Sequence, residues 1–180
     1  MSQDARGLLG LAVAVEGQPV GRVVDVALDR GLRRVLGLDV RDADGVARFL
    51  PAPAALLDRD PIAIPTALAL LDRAASGFYD ECGVRLGELT RLAWSGADVP
   101  ADARLFDVEI SAEGMVGHLL LGTGAWHLRL DRRSVRVRLD PGEDGFRPVG
   151  VHVAPASAGR GRRRGAGGQV SPALPGVPRA

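Results

Sequence analysis

GQPVGRVVDVALDRGLRRVLGLDV, residues Gly17 to Val40, decides the fold. A glycine-marked turn leads into Val20 to Leu28, where Val20, Val24, Val26 and Leu28 fall on one face interrupted only by Arg22, the two-residue period of a half-buried strand. Asp29-Arg30-Gly31 reverses the chain, and Val35 to Val40 supplies the next strand. A shorter copy of the centre, ARLFDVEIS at Ala103 to Ser111, follows 82 positions later, so that Arg104 to Ile110 matches Arg22 to Leu28 as R-[V/L]-x-D-V-x-[L/I].

Outward from this segment, Leu11 to Val15 reads as a strand before the Glu16-Gly17-Gln18-Pro19 turn. Asp42-Ala43-Asp44-Gly45 is a hairpin signal, Val46 to Leu50 a further strand ended by Pro51-Ala52-Pro53, Ala54 to Leu57 a helical turn, and Ile62 to Ile64 a short fifth strand. Five short strands at this spacing predict a small curved sheet closing into a barrel. Pro65 to Ser76 is the one helix the pattern predicts, opened by Pro65 or Thr66 and closed by Gly77, with Leu68, Leu71, Ala75 and Phe78 forming a stripe that packs on the barrel rather than on a partner. The second half repeats the plan through Leu92–Ser95, Arg104–Ile110, Val116–Leu121, His127–Leu130, Val135–Leu139 and Val149–Val153. A competing alignment sets Gly83 to Ser95 against Gly17 to Asp29; the 82-residue offset is preferred because it keeps the neighbouring strands in order.

The order of these pieces resembles the PRC-barrel domain. The matching residues are Gly17, Gly21 to Asp29 with Asp25 at its centre, Val35 to Val40 with Gly37, Gly45, Leu50-Pro51 and Asp60 to Ile64, covering residues 8–64. Residues 86–140 look like a degenerate second copy around Asp107, in which Asp98-Val99-Pro100 replaces the glycine turn. The resemblance implies a mainly β chain of two small barrels in tandem, residues 8–64 and 86–153, joined by a helical linker at 65–82. It also implies a binding module without catalytic residues, as in the reaction-centre H subunit and the ribosome maturation factor that share the domain.

Composition supports a β-rich interior: 46% of residues are apolar and only 4% aromatic, so the core is built from Val, Leu, Ile and Ala. Every basic residue is Arg, which makes Arg the default surface cation and lowers the signal of any one of them. A single cysteine, Cys82, forms no internal disulfide and fits a reducing compartment. An acid in MSQDARGLLG, where a secretory signal would be basic, and the absence of a long apolar run point to a cytoplasmic protein. Residues 1–153 hold 18 Arg against 22 acids, whereas residues 154–180 hold five Arg and no acid. That tail, rich in Gly, Pro and Ala, has little to bury and is expected to be disordered.

Candidate chemistry is sparse. His118, His127 and His152 lie on separate strands without metal-ligand spacing and read as ordinary histidines. Asp42-Ala43-Asp44-Gly45 lacks the first and twelfth ligands of a calcium loop and reads as a turn. Asp25 and Asp107 either accept hydrogen bonds from a neighbouring turn or pair with Arg22 and Arg104. Cys82 has no local base or basic cluster, and Gly122-Thr123-Gly124 no following helix or Lys. No cofactor is expected. Arg160, Arg162, Arg163 and Arg164 could contact RNA, a ribosome or an anionic membrane weakly through their charge. The leading expectation is a non-enzymatic adaptor for another protein, with exposed barrel edges that also suit a homodimer. An RNA- or ribosome-associated factor and a regulatory or scaffolding part of a membrane complex are the alternatives.

Overall fold

Apolar alternation sets the strands. In the computed structural model, which describes residues 2–154 apart from 73, 97, 124–126 and 143–144, the chain is mainly β. Its elements are β1 (Ser2–Asp4), β2 (Ala12–Val15), β3 (Gln18–Asp29), β4 (Val35–Asp42), β5 (Ala47–Pro51), β6 (Ile62–Ile64), β7 (Leu71–Asp72), α1 (Gly77–Cys82), β8 (Gly83–Arg85), α2 (Leu86–Leu89), β9 (Ala93–Gly96), β10 (Arg104–Ser111), β11 (Val116–Gly122), β12 (His127–Asp131), β13 (Val135–Gly142) and β14 (Gly145–Val153). Short 3-10 turns at Ala5–Leu8, Ala52–Ala54, Ala67–Ala69 and Arg132–Ser134 connect them. Among the described residues no helix is long and apolar enough to cross a membrane. The tail expected to be disordered, with Arg160, Arg162, Arg163 and Arg164, lies outside the described residues from 155 onward.

β3 does not keep one face along its length. Its pairing with β4 slips between Val23 and Asp25, leaving Val24 as the extra residue of a β-bulge. Val23 is therefore buried and Val24 is 47% exposed, the reverse of the face that strict alternation predicts. β10 carries the same slip between Leu105 and Asp107, with Phe106 turned outward. The unspecified position of R-[V/L]-x-D-V is thus the bulged residue in both copies.

The two halves exchange their first strands. β1, at the start of the chain, pairs with β10 of the second half as Ser2↔Ser111 and Asp4↔Glu109. β8, the corresponding strand before the second half, returns to pair with β3 as Gly83↔Asp29 and Arg85↔Ala27. Other pairs correspond as well: β2 and β6 run parallel with Val13 opposite Ile62, and β9 and β14 run parallel with Trp94 opposite Val151. Where the halves meet, Arg34 bridges Met115, its own counterpart. The Val35 N–H bonds the Gly114 carbonyl at 2.7 Å and the Val116 N–H bonds the Arg33 carbonyl at 2.9 Å. Such reciprocal pairs are what a twofold relation between the halves produces; they set the halves 81 residues apart here, one fewer than the 82 of the Arg22–Leu28 and Arg104–Ile110 strands, and do not fit the alignment of Gly83 with Gly17.

This exchange changes the expected architecture. β3 takes β2 along its first residues and β8 along its last, so the sheet ordered β6-β2-β3-β4-β5-β7 branches, and among the described residues no sheet closes into a barrel. One continuous core then serves both halves: Leu8, Val13, Val26, Leu28, Leu38 and Ile62 share it with Leu89, Trp94, Leu105, Val108, Leu119 and Val151. Full burial of Leu8 alone contributes about 2 kcal/mol. In the second half β9 and β10 belong to separate sheets. The first half joins the equivalent strands through a tight turn in which Glu16 and Gly17 both take positive φ. Pro100 of the replacing Asp98-Val99-Pro100 segment is confined to negative φ.

The helix expected over 65–76 is not formed. Thr66 Oγ1 accepts the Leu68 N–H, so the chain closes one 3-10 turn at Ala67–Ala69 instead of propagating a helix. Leu71–Asp72 then covers the edge of β5, where Asp72 pairs with Arg48. Of the expected stripe only Leu71 packs on the sheet, against Phe49 and its neighbours, while Leu68 is 86% and Phe78 67% exposed. The helical residues begin at Gly77, where the helix was expected to end. The turn expected at Ala54–Leu57 lies at Ala52–Ala54, set two residues earlier by Pro53.

Candidate partner-binding clefts at the seam

The repeated aspartates tie the exchange together. Asp25 Oδ1 accepts the N–H of Val26 at 2.8 Å and that of Gly87, in the first turn of α2, at 3.2 Å. Asp107 Oδ1 accepts the N–H of Val108 at 2.7 Å and that of Arg6, in the turn Ala5–Leu8, at 2.9 Å. Each bulge thereby aims a carboxylate at the free N–H groups of a helical turn contributed by the other half. The alternative ion pairs are not made: Arg22 donates to the Gly10 carbonyl and Arg104 to that of Ala103. Burial pushes the Asp107 carboxyl above the ordinary range, against the opposing pull of its two N–H donors.

The remaining sequence candidates fall to structural roles. Gly17 and Gly45 take positive φ in hairpin turns. Gly21 and Gly37 permit close approach: a Cβ on Gly37 would lie 2.4 Å from the Leu50 carbonyl oxygen and from the Phe49 ring, and one on Gly21 2.6 Å from Val40. Pro51 ends β5 opposite Gly37. Asp42 Oδ1 accepts the N–H groups of Asp44 and Val46, and the Val46 bond leads the effects that hold its carboxyl below the usual range. His118 Nδ1 lies 3.3 Å from Glu109, His127 meets the Phe106 ring edge-on, and His152 is exposed on β14. Among the described residues no three His, Cys, Asp or Glu side chains are grouped to hold a metal. Cys82 is half-buried at the end of α1, and Gly124 lies outside the described residues.

Sequence reasoning missed the surface at the seam, because residues far apart in the chain build it. One cleft of about 570 Å³ is lined by Val35, Leu36, Leu57, Phe78, Tyr79 and Met115, together with Ala52, Pro53, Arg34 and Glu113. α1 forms its wall and is clamped from behind. Tyr79 stacks on Phe49 with centroids 4.5 Å apart, while Asp80 holds Arg85 at 2.6 Å. Arg85 also forks onto Asp39 and sits over the Phe49 ring. With Tyr79 turned inward, Phe78 is turned out and left 67% exposed, beside Met115 at 52%.

The mate of this cleft lies across the Arg34–Met115 bridge. It has a volume of about 590 Å³ and is lined by Arg33, Val116, Gly117, His118, Asp131, Arg132 and Arg133, sharing Met115 with the first. Because Gly37↔Pro51 corresponds to His118↔Asp131 in the two hairpins, Leu36 has Gly117 as its counterpart, and Ala52-Pro53 have Arg132-Arg133. One geometry thus carries an apolar surface on one side and a cationic surface on the other. Arg132 donates from its guanidinium to the carbonyls of Leu32 and Gly31, both neutral partners. No family model and no curated protein matches the sequence.

Proposed function

We propose that the chain is a non-enzymatic binding module, two PRC-barrel-type units opened toward each other by strand exchange, that holds another protein at the seam between its halves. The observation that carries this reading is the aromatic cleft: a short helix is anchored by a stacked tyrosine and an ion pair only to present Phe78 to solvent next to Met115. A rigidly supported, exposed aromatic beside a flexible thioether is the composition of a contact anchor. The cationic cleft supports a second reading, an RNA- or ribosome-associated factor, to which the Arg tail would add charge. Among the described residues that cleft is lined by Asp131 and by no Phe, Tyr or Trp on which a base could stack, which favours the protein partner.

The test places a photo-activated cross-linking residue at Phe78 in the native cell. Specific protein adducts, lost when Met115 is changed to Glu, are the expected result. Adducts that persist unchanged in that variant would overturn the cleft as the contact, and co-sedimentation with ribosomal particles abolished by Arg133→Glu without any protein adduct would overturn the reading in favour of RNA.

A further inference from the structure

We propose that the two clefts act as one surface for a protein segment that carries a bulky apolar side chain with acidic residues beside it. This deepens the adaptor reading and rests on it. The clefts adjoin at Met115, which lines both. On one side an apolar side chain would meet Phe78, Leu57 and Val35; on the other, the described lining residues include Arg33, Arg132 and Arg133 with one acid, Asp131. Two of these arginines stand where the opposite half places Ala52 and Pro53, so their charge belongs to this cleft and is not a property of the fold. Guanidinium groups match carboxylates in paired hydrogen bonds, and partly desolvated pairs of this kind are stronger than those in open solvent. The chain's own tail is a poor occupant: residues 154–180 carry five Arg and no acid, so the cationic side repels it.

The experiment selects random short peptides displayed on phage against the full-length protein, and then measures binding of the most enriched peptide by fluorescence anisotropy. The expected result is enrichment of Leu or aromatic residues with neighbouring Asp or Glu. Affinity should fall by about tenfold or more both in Arg33→Glu/Arg133→Glu and in Phe78→Ser/Met115→Glu, and added salt should weaken binding to the native protein. All four side chains reach solvent, and an unchanged thermal midpoint verifies that the variants fold. Enrichment of neutral or basic peptides would overturn the acidic partner and leave the adaptor reading standing. Absence of any enriched peptide would overturn both. Displacement of the peptide by polyuridylate in native protein, with polyuridylate binding lost in the arginine variant, would assign the cationic side to nucleic acid and overturn the inference.

Discussion

Replacing Asp107 separates the hydrogen bonds of a buried carboxylate from its charge. Its side chain is almost wholly buried, and one oxygen satisfies the N–H groups of Val108 and Arg6. Asp107→Ala leaves both donors without an acceptor, at about 1–3 kcal/mol for a buried group and less where water can enter. Val108 is fully buried whereas Arg6 is exposed, so the expected loss is about 2–4 kcal/mol. For a chain of this size each kcal/mol moves the thermal midpoint by about 2–4 °C, giving a fall of roughly 4–16 °C. Asp107→Asn keeps an oxygen in place and removes the charge. Because burial raises the carboxyl above its reference value of 3.8, the native state holds this proton more tightly than the unfolded chain. The contribution of Asp107 is therefore fully present below that reference value and is lost as pH rises through the elevated one. The Asn variant does not titrate, so its stability relative to native protein must shift in its favour as pH rises from about 3 to 7. Groups held low, such as Glu109 beside Arg129, titrate alike in both proteins and cancel. Urea denaturation across that range measures the difference. An Asn variant as damaged as the Ala variant, or one that loses ground as pH rises, would refute the argument.

Gly37→Ala forces a methyl group into the Leu50 carbonyl and the Phe49 ring, with an expected cost of about 3 kcal/mol and a changed near-ultraviolet circular dichroism signal from Tyr79; a loss below about 1 kcal/mol would contradict the close approach. Arg85→Met removes the shared partner of Asp39 and Asp80, whose pairing is only 17% exposed at the Arg85 side chain, and should cost about 3 kcal/mol in chemical denaturation. Glu109→Gln, which breaks a pair whose Arg129 side chain is 56% exposed, should cost less than about 1 kcal/mol, so equal losses would defeat the contrast. Cutting the chain after Ala74 should yield two fragments that co-purify, each deprived of an exchanged strand when alone; two independently folded fragments with separate unfolding transitions would disprove the exchange.

Alternation of Val and Leu made most strands legible, and the recurrence of Asp25 at Asp107 located the repeat. It could not reveal which residues faced inward, since a bulge puts Val23 in and Val24 out without changing composition. β1 reads Ser-Gln-Asp, a polar triplet that is a strand only because β10 offers it an edge. The helix expected over 65–76 fails for the same class of reason: Thr66 supplies a competing local bond and β5 an edge for Leu71. The cleft was invisible because Val35, Leu57, Phe78 and Met115 become neighbours only once the halves have crossed.

The bridge between Arg34 and Met115 has a consequence for inheritance. In an assembly of two identical chains, corresponding residues must be the same residue, and every mutation is suffered on both sides at once. Here the corresponding residues differ, because one polypeptide encodes each side separately. A codon change that puts an arginine at position 132 leaves Ala52 untouched. Selection can therefore sharpen one side toward apolar contact and the other toward carboxylates, a combination closed to a symmetric dimer of a single unit.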